Sequence, residues 1–426
     1  MMRRFPASFL VTLIWAAAPL AAQDFVTLKG HGGPIMDIAV SAEGQVATAS
    51  FDNAVGLWRG RAPTWLDAHA AAVNCVAFDG DDLLSGGDDF AVIAWREGTP
   101  MRLGYHKGKV TDVAVSPDGR LIASASWDGT VGLWHTDAPE RFRALGNGGL
   151  NDVMFSPDGA TLYAAGAGGA IIELSVEGDT QRPLVKHGFG VNVMTMDPAG
   201  RWLAYGAVDG VTRVVDLPSG RERADFTLDR RPVLAMAHHP ATGQLAVGDG
   251  QGYIMILDTE TWRITRDFRA TRQGPIWALA FSPDGKVIYA GGLDDVAYAW
   301  PVALLDEYDP IQGPTRSFQR DAENMPNGER QFMRKCSICH TLTPGASRKA
   351  GPSLHGVFGR RAGTVPDYLY SDTLTGSDII WDEDTIDQLF DLGPDHYIPG
   401  SKMPMQRITD PQDRRDLTDF LKTATN

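Results

Sequence analysis

The chain has 426 residues, 43% hydrophobic and 22% charged, and a formal net charge of −14 at pH 7. That length allows two or three domains. The acidic excess argues against partners held by positive charge, such as nucleic acid or an anionic membrane surface.

The chain opens with Met1-Met2-Arg3-Arg4, an apolar run from Phe9 to Ala18, and Leu20-Ala21-Ala22-Gln23. A charged start, an apolar stretch and small residues before a cleavage point predict a signal peptide over residues 1–22. The run is short and alanine-rich for a membrane-spanning helix; an uncleaved anchor is the alternative. The mature chain is expected to be exported, without a membrane span, and periplasmic.

Residues 23–300 repeat with a period of roughly 40 residues, the mark of a propeller. The clearest unit runs from Tyr105-His106 through Ser116-Pro117-Asp118-Gly119 and Ser126-Trp127-Asp128-Gly129 to Leu133-Trp134. It alternates strands with Pro-Asp-Gly and Asp-Gly turns. Equivalent strand ends fall at Trp58, Trp95, Trp134, Leu174, Val215, Leu257 and Trp300, which predicts seven blades. The last repeat lacks an outer strand, and Phe25-Val26-Thr27-Leu28 has no partner of its own. The N-terminal strand is therefore expected to complete the seventh blade and close the ring. Cys75 reads as a buried thiol in an apolar strand.

These units resemble WD repeats. In that family a histidine, a hydroxyl, an aspartate and a tryptophan hydrogen-bond within a blade. The resemblance assigns those roles to His31, Ser50, Asp52 and Trp58, to His69, Ser85, Asp89 and Trp95, and to His106, Ser124, Asp128 and Trp134. The fourth repeat has lost both His and Trp, and the fifth keeps His187 and Asp209. The histidines and aspartates are expected to stabilise blades rather than to catalyse. His238 and His239 are neighbours on a strand, so they point to opposite faces and are unsuited to one ion. Cytochrome-type nitrite reductases and quinohaemoprotein dehydrogenases have eight-bladed propellers, and seven WD-like blades match neither.

Residues 301–326 have scattered prolines and no periodicity, and read as a linker. Cys336-Ser337-Ile338-Cys339-His340 then forms a haem attachment site. Two cysteines separated by two residues take the haem vinyl groups as thioethers, and the following histidine becomes an axial ligand. On a helix the three side chains would share one face. A zinc site needs about four ligands, and Cys75 lies far away. A thioredoxin-like dithiol would sit in a βαβ pattern, which is missing around the motif.

Residues 327–426 resemble a class I cytochrome c, the kind found in mitochondria and alphaproteobacteria. Gly328, Phe332 and the haem motif fit its first helix, Ala350 to Arg360 its proximal segment, and Tyr397-Ile398-Pro399-Gly400-Ser401-Lys402-Met403-Pro404 its ligand loop. Leu417, Phe420 and Leu421 fit its last helix, started by Asp410-Pro411. The resemblance implies one covalent haem c, with thioethers to Cys336 and Cys339 and axial ligands His340 and Met403; Met405 or an open sixth position is the alternative for the last. It further implies that the Pro352 carbonyl holds the His340 ring, and that Arg360, Tyr370 and Trp381 enclose a haem propionate. His355 and His396 read as surface residues. Thioether ligation favours the ferrous state and closes the iron to substrates.

Two departures stand out. The family's distal tyrosine is replaced by Leu389 or Phe390, and the lysine ring around the haem edge is thinned to Lys335, Lys349 and Lys402, with Asp391 and Asp395 nearby. The chain as a whole is expected to be all-β over the propeller, then a small all-α domain. Its expected function is one-electron transfer, with the propeller docking a redox protein partner; no catalytic residue is assigned. A haem-dependent oxidoreductase whose propeller binds the substrate, and a redox-sensing scaffold, are the alternatives.

Overall fold

The computed structural model describes residues 26–135, 141–144, 148–227, 230, 232–271, 274–305, 325–345, 348–366, 368–403 and 406–425. The expected signal peptide, most of the expected linker, Phe25 and Met405 lie outside the described residues.

Seven four-stranded antiparallel sheets follow one another over 35–66, 73–105, 110–144, 150–186, 191–225, 233–269 and 276–301. Six are built from consecutive strands. The seventh has three strands of its own and takes Val26–Lys29 as its fourth, with Val26 opposite Ala299 and Lys29 opposite Val296. The ring thus closes by backbone pairing between the two ends of the propeller, which covers the outer edge of Val296–Pro301.

The middle strands are mostly buried on both faces, because each sheet is covered there by a neighbour on either side, while the outer strands are largely exposed. The core accordingly lies between blades rather than within one. Ala47, Val55 and Leu66 of the first blade pack with Val73, Ile93 and Trp95 of the second. At the seam, Leu28, Ile35, Trp58 and Ala297 form one cluster. In every blade the innermost strand carries a register irregularity near its start, for example between Ile35 and Asp37 and between Val110 and Asp112.

The tetrads form as expected in the second and third blades. His69 lies 2.9 Å from Asp89 and 2.8 Å from Ser85, and the Trp95 indole donates to Ser85 Oγ at 2.8 Å. His106, Ser124, Asp128 and Trp134 repeat the arrangement. In the first blade the hydroxyl is Thr48, not Ser50: Thr48 Oγ1 accepts from Trp58 Nε1 at 2.8 Å and lies 2.7 Å from His31 Nε2. Ser50 instead donates to the Gly33 carbonyl at the turn. The ten-residue step from hydroxyl to tryptophan in the next two blades is the signal that identifies Thr48. His187 pairs with Asp209 at 3.1 Å. His238 and His239 diverge as expected: His238 packs edge-on against Trp202, while His239 bonds Thr242 and the Pro283 carbonyl.

The C-terminal domain has five helices among the described residues: α1 (Asn327–Lys335), α2 (Asp372–Thr375), α3 (Glu383–Leu392), α4 (Pro394–Tyr397) and α5 (Pro411–Ala424). Asp410 caps α5 by accepting from the Gln412 amide at 2.7 Å, with Pro411 in the first turn. The first and last helices cross with Phe332 against Phe420, their ring centroids 5.6 Å apart. Leu417, Leu421, Ile386 and Phe390 complete the core. Buried Arg414 joins α5 to α3 through Asp387 at 2.7 Å and Asp391 at 3.1 Å, so Asp391 is matched within the domain.

Candidate functional site

Helix α1 ends at Lys335, one residue before the Cys-Ser-Ile-Cys-His motif. The motif continues as hydrogen-bonded turns: the Cys336 amide donates to Phe332, Cys339 to Cys336 at 3.1 Å, and His340 to Cys336 at 2.8 Å. The expected helical face is thus supplied by turns, and the bond from His340 back to Cys336 keeps the i to i+4 step.

Cys336, Cys339 and His340 line a cavity of about 700 Å³, whose wall also includes Met403 and all four residues expected around them: Pro352, Arg360, Tyr370 and Trp381. Residues separated by more than sixty positions are thereby gathered on one space. Leu389 and Phe390, both buried, lie side by side on the wall, so both candidate replacements for the distal tyrosine face the same cavity.

His340 Nδ1 lies 2.8 Å from the Pro352 carbonyl oxygen, to which it donates. This leaves Nε2 as the ring nitrogen free of a proton. Burial depresses the basicity of His340, which keeps the ring neutral, the form that ligates metals. Gly351 is required beside it: a Cβ there would sit 2.5 Å from His340 Cε1. Burial pushes the Cys336 thiol up to about 12 and the Cys339 thiol up to about 11. Dithiols that exchange disulfides rely on a lowered thiol pKa, so this pair is unsuited to that chemistry. No group of three or more His, Cys, Asp or Glu side chains among the described residues is arranged to hold a bare metal ion.

The Arg360 guanidinium donates to the carbonyls of His355 at 2.7 Å and Ser353 at 2.8 Å, which braces the segment after His340. The Tyr370 hydroxyl accepts from the Val365 amide at 3.3 Å. Tyr368 was not singled out by the sequence, yet its hydroxyl donates to the Ala350 carbonyl and its ring meets Tyr370 at 4.7 Å. Burial pushes its phenol up to about 12. The Tyr-x-Tyr spacing, which puts both rings on one side of an extended segment, is the signal for it. His396 is exposed and His355 half-buried, and neither lines the cavity.

Two of the three lysines expected at the haem edge are engaged inside the domain. Lys349 Nζ donates to the carbonyls of Ser337 at 2.9 Å and Ile338 at 3.2 Å, and Lys402 Nζ donates to Leu369 at 2.9 Å. Burial depresses the Lys402 ammonium. Both ammonium groups are thereby held against the domain surface.

A cavity of this size falls within the range of cofactor pockets, roughly 300–1,000 Å³. Its wall offers two cysteines, an imidazole with one nitrogen fixed by a carbonyl, and a thioether. That donor set fits a haem.

Residues 325–425 match the family model described as "Cytochrome c", and residues 23–59, 62–96, 99–135 and 262–300 match "WD domain, G-beta repeat". The chain is similar to cytochrome c of Sesamum indicum, 44% identical over 102 residues, which is 24% of this chain and 91% of the relative. It is 40% identical over 107 residues to cytochrome c of Nigella damascena, covering 25% of this chain and 96% of that protein. It is 42% identical over 98 residues to cytochrome c of Cochliobolus lunatus, covering 23% and 90%. These relatives correct the expected periplasmic location. They come from eukaryotes, on the mitochondrial side of the family, and point to the mitochondrial intermembrane space instead. Among the described residues no helix is long and apolar enough to cross a membrane.

Proposed function

Because this chain belongs to the cytochrome c family and carries a seven-bladed WD40 propeller ahead of its haem-binding domain, we propose that it transfers single electrons through one covalently held haem c, with the propeller docking the redox partner. In this reading Cys336 and Cys339 form the thioethers, and His340 and Met403 are the axial ligands. The observation that carries it is the hydrogen bond from His340 Nδ1 to the Pro352 carbonyl, beside both cysteines and on the same cavity as Met403.

When bound, the haem supplies a one-electron couple. The chain's own residues do the rest. Pro352 and Gly351 fix the orientation of the His340 ring. Leu389, Phe390 and Ile398 line the cavity and exclude water, and a fixed low-polarity surround keeps reorganisation small on each change of charge. Arg360, Tyr370 and Trp381, which share the cavity wall, would enclose a haem propionate. Members of this family are electron carriers rather than catalysts, and a propeller of WD repeats is a general protein-docking scaffold; both support the carrier reading over a substrate-converting one.

Haem staining of the full chain on a denaturing gel tests this assignment. Cys336→Ser and Cys339→Ser should each lower the haem that survives denaturation, and His340→Ala should abolish normal maturation. Full staining of all three variants would overturn it.

A further inference from the structure

The cavity that holds the haem ligands is not closed by the C-terminal domain alone. Its remaining wall comes from the first three propeller blades, including Ala71, Phe90, Lys109 and Trp127. The two domains also meet beside it. The Arg348 guanidinium lies 4.3 Å from the centre of the Trp65 ring, on the outer strand of the first blade, and pairs with Asp67 just past the end of that strand. The Arg348 main chain packs on Gly32 so closely that a Cβ at Gly32 would sit 1.7 Å from the Arg348 carbonyl oxygen. The next residue, Lys349, bonds the carbonyls of Ser337 and Ile338 inside the haem motif, so the contact is tied directly to the attachment loop.

Phe90 is a second and independent sign. It has φ +68, in the left-handed region that disfavours an aromatic residue. The equivalent turn position is Asn53 in the first blade and Gly129 in the third, residues that tolerate this conformation. The turn therefore keeps a costly residue where a cheap one would serve, and its side chain lies on the haem cavity. The carboxylates of Asp52, Asp89 and Asp128 hold the three turns, and each is adjacent to a residue of the cavity wall: Phe51, Phe90 and Trp127.

We propose that this face of blades one to three is the docking surface for the chain's own haem domain, so that the haem edge is a composite of both domains and an outside partner meets the two together. The inference rests on the carrier reading for the identity of the buried group, but not for the docking itself. It departs from a freely swinging tethered domain, because Arg348 and Gly32 fix the approach and Phe90 and Trp127 cap the cavity.

The test compares the full-length holoprotein with Gly32→Leu and with Phe90→Gly. Gly32 keeps its backbone bond to Asp52 in any variant, so a side chain there wedges the domains apart without altering the charge of either. Small-angle X-ray scattering should show a larger radius of gyration for Gly32→Leu than for the wild type. Ascorbate should reduce its haem several-fold faster. Phe90→Gly should raise the ascorbate rate while the propeller melts no lower, which separates a cap from a structural residue. An unchanged radius and an unchanged rate in Gly32→Leu, with circular dichroism matching the wild type, would overturn the docking. Should Gly32→Leu fail to fold, Asp67→Ala, which removes only the Arg348 partner, is read the same way. Scattering reports docking even if the haem ligands prove to be other residues, so failure of the carrier assignment is distinguishable.

Discussion

The imidazole of His340 donates from Nδ1 to the carbonyl oxygen of Pro352, 2.8 Å away and twelve residues downstream. The bond fixes the tautomer and the ring plane together, and Gly351 leaves just enough room for it. Gly351→Ala is expected to push the ring aside, because the added methyl would overlap Cε1. Haem should still attach through the cysteines, while the Soret circular dichroism and the midpoint potential change. Spectra and potential identical to the wild type would show that the ring is not held in this way.

Met403 lies on the same cavity, among the partly buried residues of the domain core. Met403→Ala should leave the haem covalently bound, remove the weak red absorption of thioether-to-iron ligation and lower the potential, since thioether ligation favours the reduced state. Met405→Ala should keep the band. Loss of the band in Met405→Ala alone would transfer the ligand role.

Thr48 sits at the centre of the first blade's network, bonded to both Trp58 and His31. Thr48→Ala leaves the indole N–H and the imidazole nitrogen buried without that partner, at a cost of about 1–3 kcal/mol for each unsatisfied group. Ser50→Ala should cost less, because Ser50 makes two long bonds of 3.2 Å at a turn. Urea unfolding followed by far-ultraviolet circular dichroism ranks the two. Equal losses would return Ser50 to the network.

Three carboxyls on the innermost strands make the propeller sensitive to pH. Asp37 accepts from the Val76 amide of the next blade at 2.9 Å, Asp112 from Val153 at 2.9 Å, and Asp152 from Met194. Burial raises Asp37 to about 6 and Asp152 to about 7, and Asp112 rises well above the ordinary range through burial and its neighbour Asp152. An unfolded aspartate titrates near 3.9, so between about pH 4 and 7 the folded propeller binds more protons than the unfolded chain. Stability is fully present below about pH 4 as far as these groups decide it, and falls as pH rises through 6 and 7. The melting temperature should drop from pH 5 to pH 8, and Asp112→Asn should shrink that drop. A melting temperature that climbs over this interval in the wild type would refute the assignment.

Much of the molecule was legible in its residues. Seven strand ends, from Trp58 to Trp300, recur because each blade solves the same local packing problem, and the unpartnered N-terminal strand implied the closure that pairs Val26 with Ala299. The haem motif carries its chemistry in a spacing of five residues, and the residues expected around it do share one cavity. What periodicity could not reach were matters of approach between distant segments. Thr48 and Ser50 lie on the same side of one strand, and only the packed blade selects the one beneath Trp58. Lys349 and Lys402 read as free surface charge, yet folding brings carbonyls of Ser337 and Leu369 to them. Asp391 read as a free negative charge, and α5 supplies Arg414 to it. The contact of Arg348 with Trp65 and Gly32 joins residues roughly three hundred positions apart in the chain. Sequence determines local conformation and ligand chemistry because these depend on near neighbours; the tertiary structure alone decides which surfaces meet, because that depends on the closed ring and on how the second domain packs against it.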